Sequence, residues 1–243
     1  MKKLAKGFTL VELLVVIGIL GVLMSVLYPA ISSVQTDMNM KTLAISARKI
    51  VQGIASANTD RSSRGKPSLW PHNDENDGKS DDTDDIGGQT FGTSTEYFKV
   101  LFDIQNQTSS DNWNPYIEGY EGSWLSGAGV PPAQPGNLLQ ANVAWTIASG
   151  LTDDQGDFMP ALVSRNTDTS EFATSGQNDM STKTTKVTLG KKFPQPLGTK
   201  GSVIATKGGG VDTYKARDCR LKDVYKSNSF AIPNGITLKY LEP

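Results

Sequence analysis

The chain starts on a short basic stretch, Lys2, Lys3 and Lys6, and then turns almost wholly apolar. Residues Leu13 to Ile31 read LLVVIGILGVLMSVLYPAI, nineteen positions without a charge. A run of that length crosses a bilayer as a helix. The basic flank belongs on the cytoplasmic side, which puts the bulk of the chain across the membrane. Beyond the run the apolar positions thin to a stripe. Ile31, Val34, Met38, Leu43, Ala47, Ile50 and Ile54 recur every three to five residues, with Ala44, Val51 and Ala55 beside them. Lys41, Arg48, Lys49 and Gln52 fall off the stripe. This is the pattern of an amphipathic helix with one face to be covered. Together the two stretches predict a single helix from Phe8 to about Asn58, roughly 75 Å long at 1.5 Å per residue.

Further along, the pattern is short-ranged. Thr93-Ser94-Thr95-Glu96 has the capping-box spacing and predicts a short helix through Tyr97, Phe98, Val100, Leu101 and Phe102. Asn112 to Pro135, rich in Gly and Pro, predicts an ordered irregular loop. Asn137 to Ser149 (NLLQANVAWTIAS) reads as a second short helix closed by Gly150. Phe158 to Val163, interrupted by Pro160, reads as an edge strand. Two β-rich runs, Gly201–Lys207 and Val211–Ala216, flank Gly208-Gly209-Gly210 and predict a hairpin. Val187 to Phe193 offers another strand, and Ile236 to Leu241 alternates like an edge strand. The sum is an α+β fold in which the stripe from Leu43 to Ile54 covers an antiparallel sheet of three or four strands.

Composition narrows the chemistry. Lys plus Arg total 24 and Asp plus Glu 25, a balance with no general pull toward nucleic acid. Cys219 stands alone, which excludes an intramolecular disulfide and a Cys-based zinc site. The single histidine, His72, lies in a polar stretch, and no nucleophile-elbow, phosphate-cradling or metal-spaced motif is present. These absences argue against an enzyme, leaving Cys219 between Asp218 and Arg220 as the one conceivable reactive group. Residues 73–88 (NDENDGKSDDTDDIGG) carry seven carboxylates and one lysine. A solvated loop is the ordinary meaning of such a run. Asn73, Glu75, Asp77, Gly78, Asp81 and Asp84 also loosely echo a calcium loop, with Asp84 in place of the bidentate Glu. No other cofactor is expected.

Glu12 is out of place in an apolar stretch, because a carboxylate there costs a few kcal/mol without a partner. Helical spacing sets it one turn beyond Phe8. A secretory signal fits poorly, since the small residue Gly7 precedes the apolar run instead of following it. A cut after Gly7 removes the basic leader, keeps the helix and makes Phe8 an ammonium at the depth of Glu12. The pair can then form within one chain or between axially offset neighbours. Gly18, Gly21 and Pro29 weaken the helix between Gly21 and Pro29. Gly21 and Ser25 also make a small-xxx-small pair suited to close helix contact.

The string Lys6-Gly7-Phe8-Thr9-Leu10-Val11-Glu12-Leu13-Leu14 resembles the N-terminus of type IV pilins and of the pseudopilins of type II secretion. The resemblance covers roughly residues 1–35. It implies cleavage between Gly7 and Phe8 by a prepilin peptidase, N-methylation of Phe8, and docking of Glu12 on a neighbour's Phe8 amine in a growing filament. It implies that the stretch holding Gly21 and Pro29 loosens on assembly. The organisation expected is a leader at 1–7, an assembly and membrane helix at 8–30, its amphipathic extension at 31–58, and an exported domain at 59–243. The fold implied is pilin-like. As a pseudopilin the chain would cross the bacterial inner membrane once, N-terminus cytoplasmic, domain periplasmic or extracellular. Its partners would be copies of itself, other pseudopilins, the peptidase and the inner-membrane secretion platform. The alternative is a type IV pilin for adhesion, motility or DNA uptake. With one cysteine the chain cannot form the C-terminal disulfide loop of many such pilins.

Overall fold

The computed structural model describes residues 8–71, 86, 89–107, 114–151, 156–172, 183–225 and 238–243. Two compact units emerge, Met1–Met38 and Asn39–Pro243. One helix, α1 (Leu10–Ser63), contributes to both. It runs past Asn58 to Ser63, where Gly65 with φ +68° allows the turn that ends it.

In the first unit the helix leaves its large apolar side chains exposed, from Leu10 at 79% to Met38 at 63%. Such surface requires lipid or protein around it. In the second unit the stripe is covered. Met40, Leu43, Ala47, Ile50, Val51 and Ile54 are buried in one continuous core with the sheet and the loops. Burial of each large aliphatic among them contributes about 1.5–3 kcal/mol.

The sheet has five antiparallel strands in the order β4-β3-β2-β1-β5. They are β1 (Trp145–Ser149), β2 (Pro160–Ser164), β3 (Gly201–Thr206), β4 (Val211–Lys215) and β5 (Lys239–Leu241). The long apolar helix packed on this sheet is the expected α+β, pilin-like arrangement. The glycine-turn hairpin forms β3 and β4, with Gly201 opposite Lys215 and Ala205 opposite Val211. Strand β5 lies at the opposite edge, against β1. Thr93 caps the short helix α2 (Ser94–Leu101), its Oγ1 accepting from the Glu96 amide while Glu96 accepts from the Thr93 amide.

Four expectations are corrected. Residues 137–149 are not a helix: a single 3-10 turn at Gln140–Asn142 leads into β1. All five residues of β1 are buried, so the run lacks the alternation that marks a strand with one wet face. The Asn142 side chain accepts from the Leu139 amide and donates to the Pro131 and Pro132 carbonyls, tying this turn to the preceding loop. Strand β2 is internal, between β1 and β3, and not an edge. Pro160 is tolerated there because it is the first residue of the strand, where the β2–β3 register shifts between Pro160 and Leu162. Residues 187–193 form no strand; isolated bridges hold Leu189 to Thr167 and Lys186 to Arg220. Gly190, at φ +70° with the Gly198 backbone 3.0 Å from where a Cβ would stand, turns the chain away. With β1 added, the sheet exceeds the three or four strands expected.

Candidate functional site

The first turn of α1 is a capping box. The Glu12 amide donates to Thr9 Oγ1 at 3.3 Å, and the Thr9 amide and hydroxyl both donate to Glu12 Oε2 at 2.8 Å. Thr9 is thus the N-cap and Glu12 the third helical residue, and the Leu13 amide closes on the Thr9 carbonyl. The signal was present in the sequence as Thr-x-x-Glu directly ahead of an apolar run. It changes the expected geometry. Phe8 precedes the cap instead of standing one helical turn below Glu12, and Glu12 meets Thr9 within its own chain. Both bonds from Thr9 fall on one carboxylate oxygen, and Oε1 takes none from a described residue.

Phe8 is 79% exposed, so nothing in the single chain covers the position proposed as the new N-terminus. Gly7 lies outside the described residues. Gly21 has no atom within 4 Å of where a Cβ would stand, which leaves its helix face open to a close neighbour. Pro29 lies inside an unbroken α1. It withholds an amide from the Ser25 carbonyl one turn earlier, and the Ser25 hydroxyl bonds back to the Val22 carbonyl at 2.7 Å. The structure therefore groups Thr9 with Glu12 at the helix start and leaves Gly21 and Pro29 as separate weak points further along.

The Asn39–Pro243 unit offers no competing arrangement among the residues described. Cys219 is fully buried, and burial pushes its thiol up to about 12, opposite to what a nucleophile needs. A cleft of about 940 Å³ is lined by Glu96, Asp103, Lys99 and Tyr116, among others. Its carboxylates are occupied structurally: Glu96 caps α2, and Asp103 accepts from the Asn106 side chain and the Asn114 amide. Among the described residues no group of three or more His, Cys, Asp and Glu could hold a metal. The calcium candidates Asp77, Asp81 and Asp84 lie outside the described residues, as does His72.

A basic N-terminal stretch, a capped apolar helix and one carboxylate in its first turn mark an N-terminal segment of its own kind ahead of a separate compact unit. Residues 2–28 match the family described as the prokaryotic N-terminal methylation motif, the prepilin-cleavage signal of type IV pilins and pseudopilins. No curated protein and no solved structure matches the chain. The motif implies processing by a prepilin peptidase and assembly with pilin-like subunits. It points to a structural protein, and the uncovered helix fits a membrane-anchored one.

Proposed function

We propose that this chain is a pseudopilin, a filament subunit of a type II secretion apparatus that drives protein export. The observation that carries the reading is the segment Gly7-Phe8-Thr9-Leu10-Val11-Glu12 within the methylation motif at residues 2–28. Cleavage after Gly7 frees the Phe8 amine, which the peptidase methylates. Glu12, held by Thr9 through one oxygen, keeps its other oxygen for the amine of a neighbouring copy. The uncovered apolar helix exchanges lipid for the helices of other subunits, with Gly21 permitting close approach and Pro29 permitting local loosening. The lone buried Cys219 supports a secretion pseudopilin over a pilin with a C-terminal disulfide loop.

The test starts with the mass of the chain extracted from membranes of cells that make the peptidase. The expected species begins at Phe8 and carries one extra methyl group. Glu12→Val is expected to insert and be processed normally yet be lost from sheared or purified filaments. A mature chain that retains residues 1–7, or a Glu12→Val variant that assembles as the parent does, refutes the reading. Filaments exposed on the cell surface instead of confined to the periplasm would assign the chain to the pilins.

A further inference from the structure

The net charge of −1 is unevenly spread along the chain. Residues 183–187 and 215–223 hold six Lys and Arg against two Asp, a net of +4. The fold joins these two segments. The Val187, Leu221 and Lys222 amides donate to the Cys219, Thr185 and Lys183 carbonyls, and Lys186 bridges to Arg220. This short ladder gathers Lys183, Lys186, Arg220 and Lys222. All four are exposed, and none is ion-paired among the described residues, whereas Arg217 is held by its neighbour Asp218 at 3.1 Å.

Strand β3 gives the ladder its place, because it lies along the covered part of α1. Its first residue, Gly201, stands against Met40, whose Sδ is 2.8 Å from where a Cβ would be. Gly209, in the turn past its end, stands against Gln52, whose Cγ is 3.5 Å from such a Cβ. Gly201 pairs with Lys215, the last residue of β4, and beyond them the Ala216 amide donates to the Lys200 carbonyl. The chain that enters the ladder therefore leaves the sheet at its Met40 end. The Tyr214 hydroxyl, donating to the Asp223 carbonyl at 2.8 Å, keeps it there. Lys207 and Gly208 line a cleft with Asn58 at the other end and take no part.

Met40 follows Ile31, the last residue of the uncharged run, by nine positions, about 14 Å of helix. Headgroups occupy roughly the first 5–8 Å beyond the hydrocarbon. Along the helix, the Met40 end is thus about 6–9 Å from them, close to the Debye length of about 8 Å at physiological salt.

We propose that the surface of Lys183, Lys186, Arg220 and Lys222 rests on the anionic phospholipid headgroups of the bilayer that α1 enters. The inference rests on the membrane reading of the N-terminal helix and adds the surface by which the Asn39–Pro243 unit meets that bilayer. The helix brings the surface within range, and four cations without carboxylate partners supply the attraction. Each such cation strengthens binding to an anionic surface several-fold, and salt weakens it. Neutral lipid offers these side chains no counter-charge, so the contact selects lipid by charge.

The test places the full chain in vesicles of phosphatidylcholine alone or of an equal mixture of phosphatidylcholine and phosphatidylglycerol. An amine-acylating reagent, read by mass spectrometry, reports each lysine, with Lys66, beyond the far end of α1, as the internal reference. Labelling of Lys183, Lys186 and Lys222 relative to Lys66 is expected to fall at least ~3-fold in the mixed vesicles. It is expected to recover at about 1 M salt, where charges are screened within a few Å. K186E/R220E leaves Lys183 and Lys222 as reporters and is expected to lose the protection, while Cys219 stays shielded from a thiol reagent and so shows the fold intact. Equal labelling of the parent in the two lipids overturns the proposal, as does full protection in a folded K186E/R220E. Protection that arises only in assembled filaments also overturns it and assigns the surface to a contact between subunits. Anchoring is read separately, by flotation with the neutral vesicles. If the chain does not float, the membrane reading fails, and labelling beside the mixed vesicles alone decides the surface: protection sustains it and its absence overturns it.

Discussion

Arg165 is 9% exposed, and its guanidinium holds the turn before β1 in place without any carboxylate among the described residues. Nη1 donates to the Gln140 carbonyl at 2.9 Å and the Val143 carbonyl at 2.8 Å, and Nε donates to the Gln195 carbonyl at 3.2 Å. The Phe193 ring lies 5.6 Å away. Burial shifts the guanidinium downward from its ordinary value, and it remains a cation at neutral pH. Arg165→Met keeps most of the stem volume and removes these three bonds. Bonds to a charged group contribute about 1.5–3 kcal/mol each, so the gross loss is roughly 6 kcal/mol. Two terms offset it. A cation no longer has to be desolvated, which returns several kcal/mol, and the Gln140 carbonyl keeps the Val143 amide at 3.2 Å. The net expectation is a loss of about 2–4 kcal/mol.

The assay is urea unfolding of the full chain in non-ionic detergent, followed by the fluorescence of the buried tryptophans, among them Trp145. With a slope of about 2 kcal/mol/M the midpoint should fall by roughly 1–2 M. Arg165→Lys should lie between parent and Met variant, because a single ammonium cannot span the carbonyls that the planar fork reaches. A Met variant within about 0.5 kcal/mol of the parent would show that the three bonds merely repay the cost of burying the charge.

Two further outcomes concern smaller parts of the domain. Thr93→Ala removes the cap of α2 and should cost about 1 kcal/mol in the same unfolding assay; an unchanged midpoint would mean that the Ser94 amide bond to the Glu242 carbonyl suffices to start the helix. The Cys219 thiol is raised from about 9 to about 12, by burial first and the Asp223 charge second, against an opposite pull from Lys186. Its contribution to stability is therefore complete below about pH 9 and lost as pH rises from there toward 12, since the unfolded thiol ionises first. Native protein should react with a thiol reagent at pH 8 at least ~10-fold more slowly than unfolded protein, and Cys219→Ala should flatten the alkaline loss; fast native labelling would contradict the burial.

Elements whose cause is local were readable from the residues. The long helix shows in an apolar run passing into a stripe, α2 in Thr93 and Glu96, and the hairpin in the three glycines between β3 and β4. Strands whose cause is tertiary were not. Trp145–Ser149 is buried throughout and flanked by apolar residues at helical spacing, so its partner strands decide its state. Pro160 suggests an edge until the register shift beside it is known. The bonds from Arg165 to Gln140 and Gln195 span 25 and 30 residues, beyond any local pattern. At the N-terminus the chemistry was readable but the geometry was not. Spacing paired Glu12 with Phe8, whereas the cap at Thr9 starts the helix after Phe8 and gives the carboxylate a nearer partner.

That nearer partner bears on how a subunit could leave the bilayer. Hydrocarbon tails and neighbouring apolar helices are about equally apolar, so exchanging one for the other changes the burial energy of Leu13 to Ile31 little. The difference between the two surroundings then falls on the polar groups of the helix. One oxygen of Glu12 is already satisfied by Thr9, so the carboxylate enters the apolar phase partly compensated and with its geometry set by the helix start. A neighbour's amine need supply only the remaining charge compensation, which a chain still carrying residues 1–7 has no free Phe8 ammonium to provide. On the proposed filament reading, cleavage after Gly7 would act as the switch: it would leave the apolar run Leu13 to Ile31 untouched, yet create at Phe8 the cation that favours the assembled state over the membrane-embedded one.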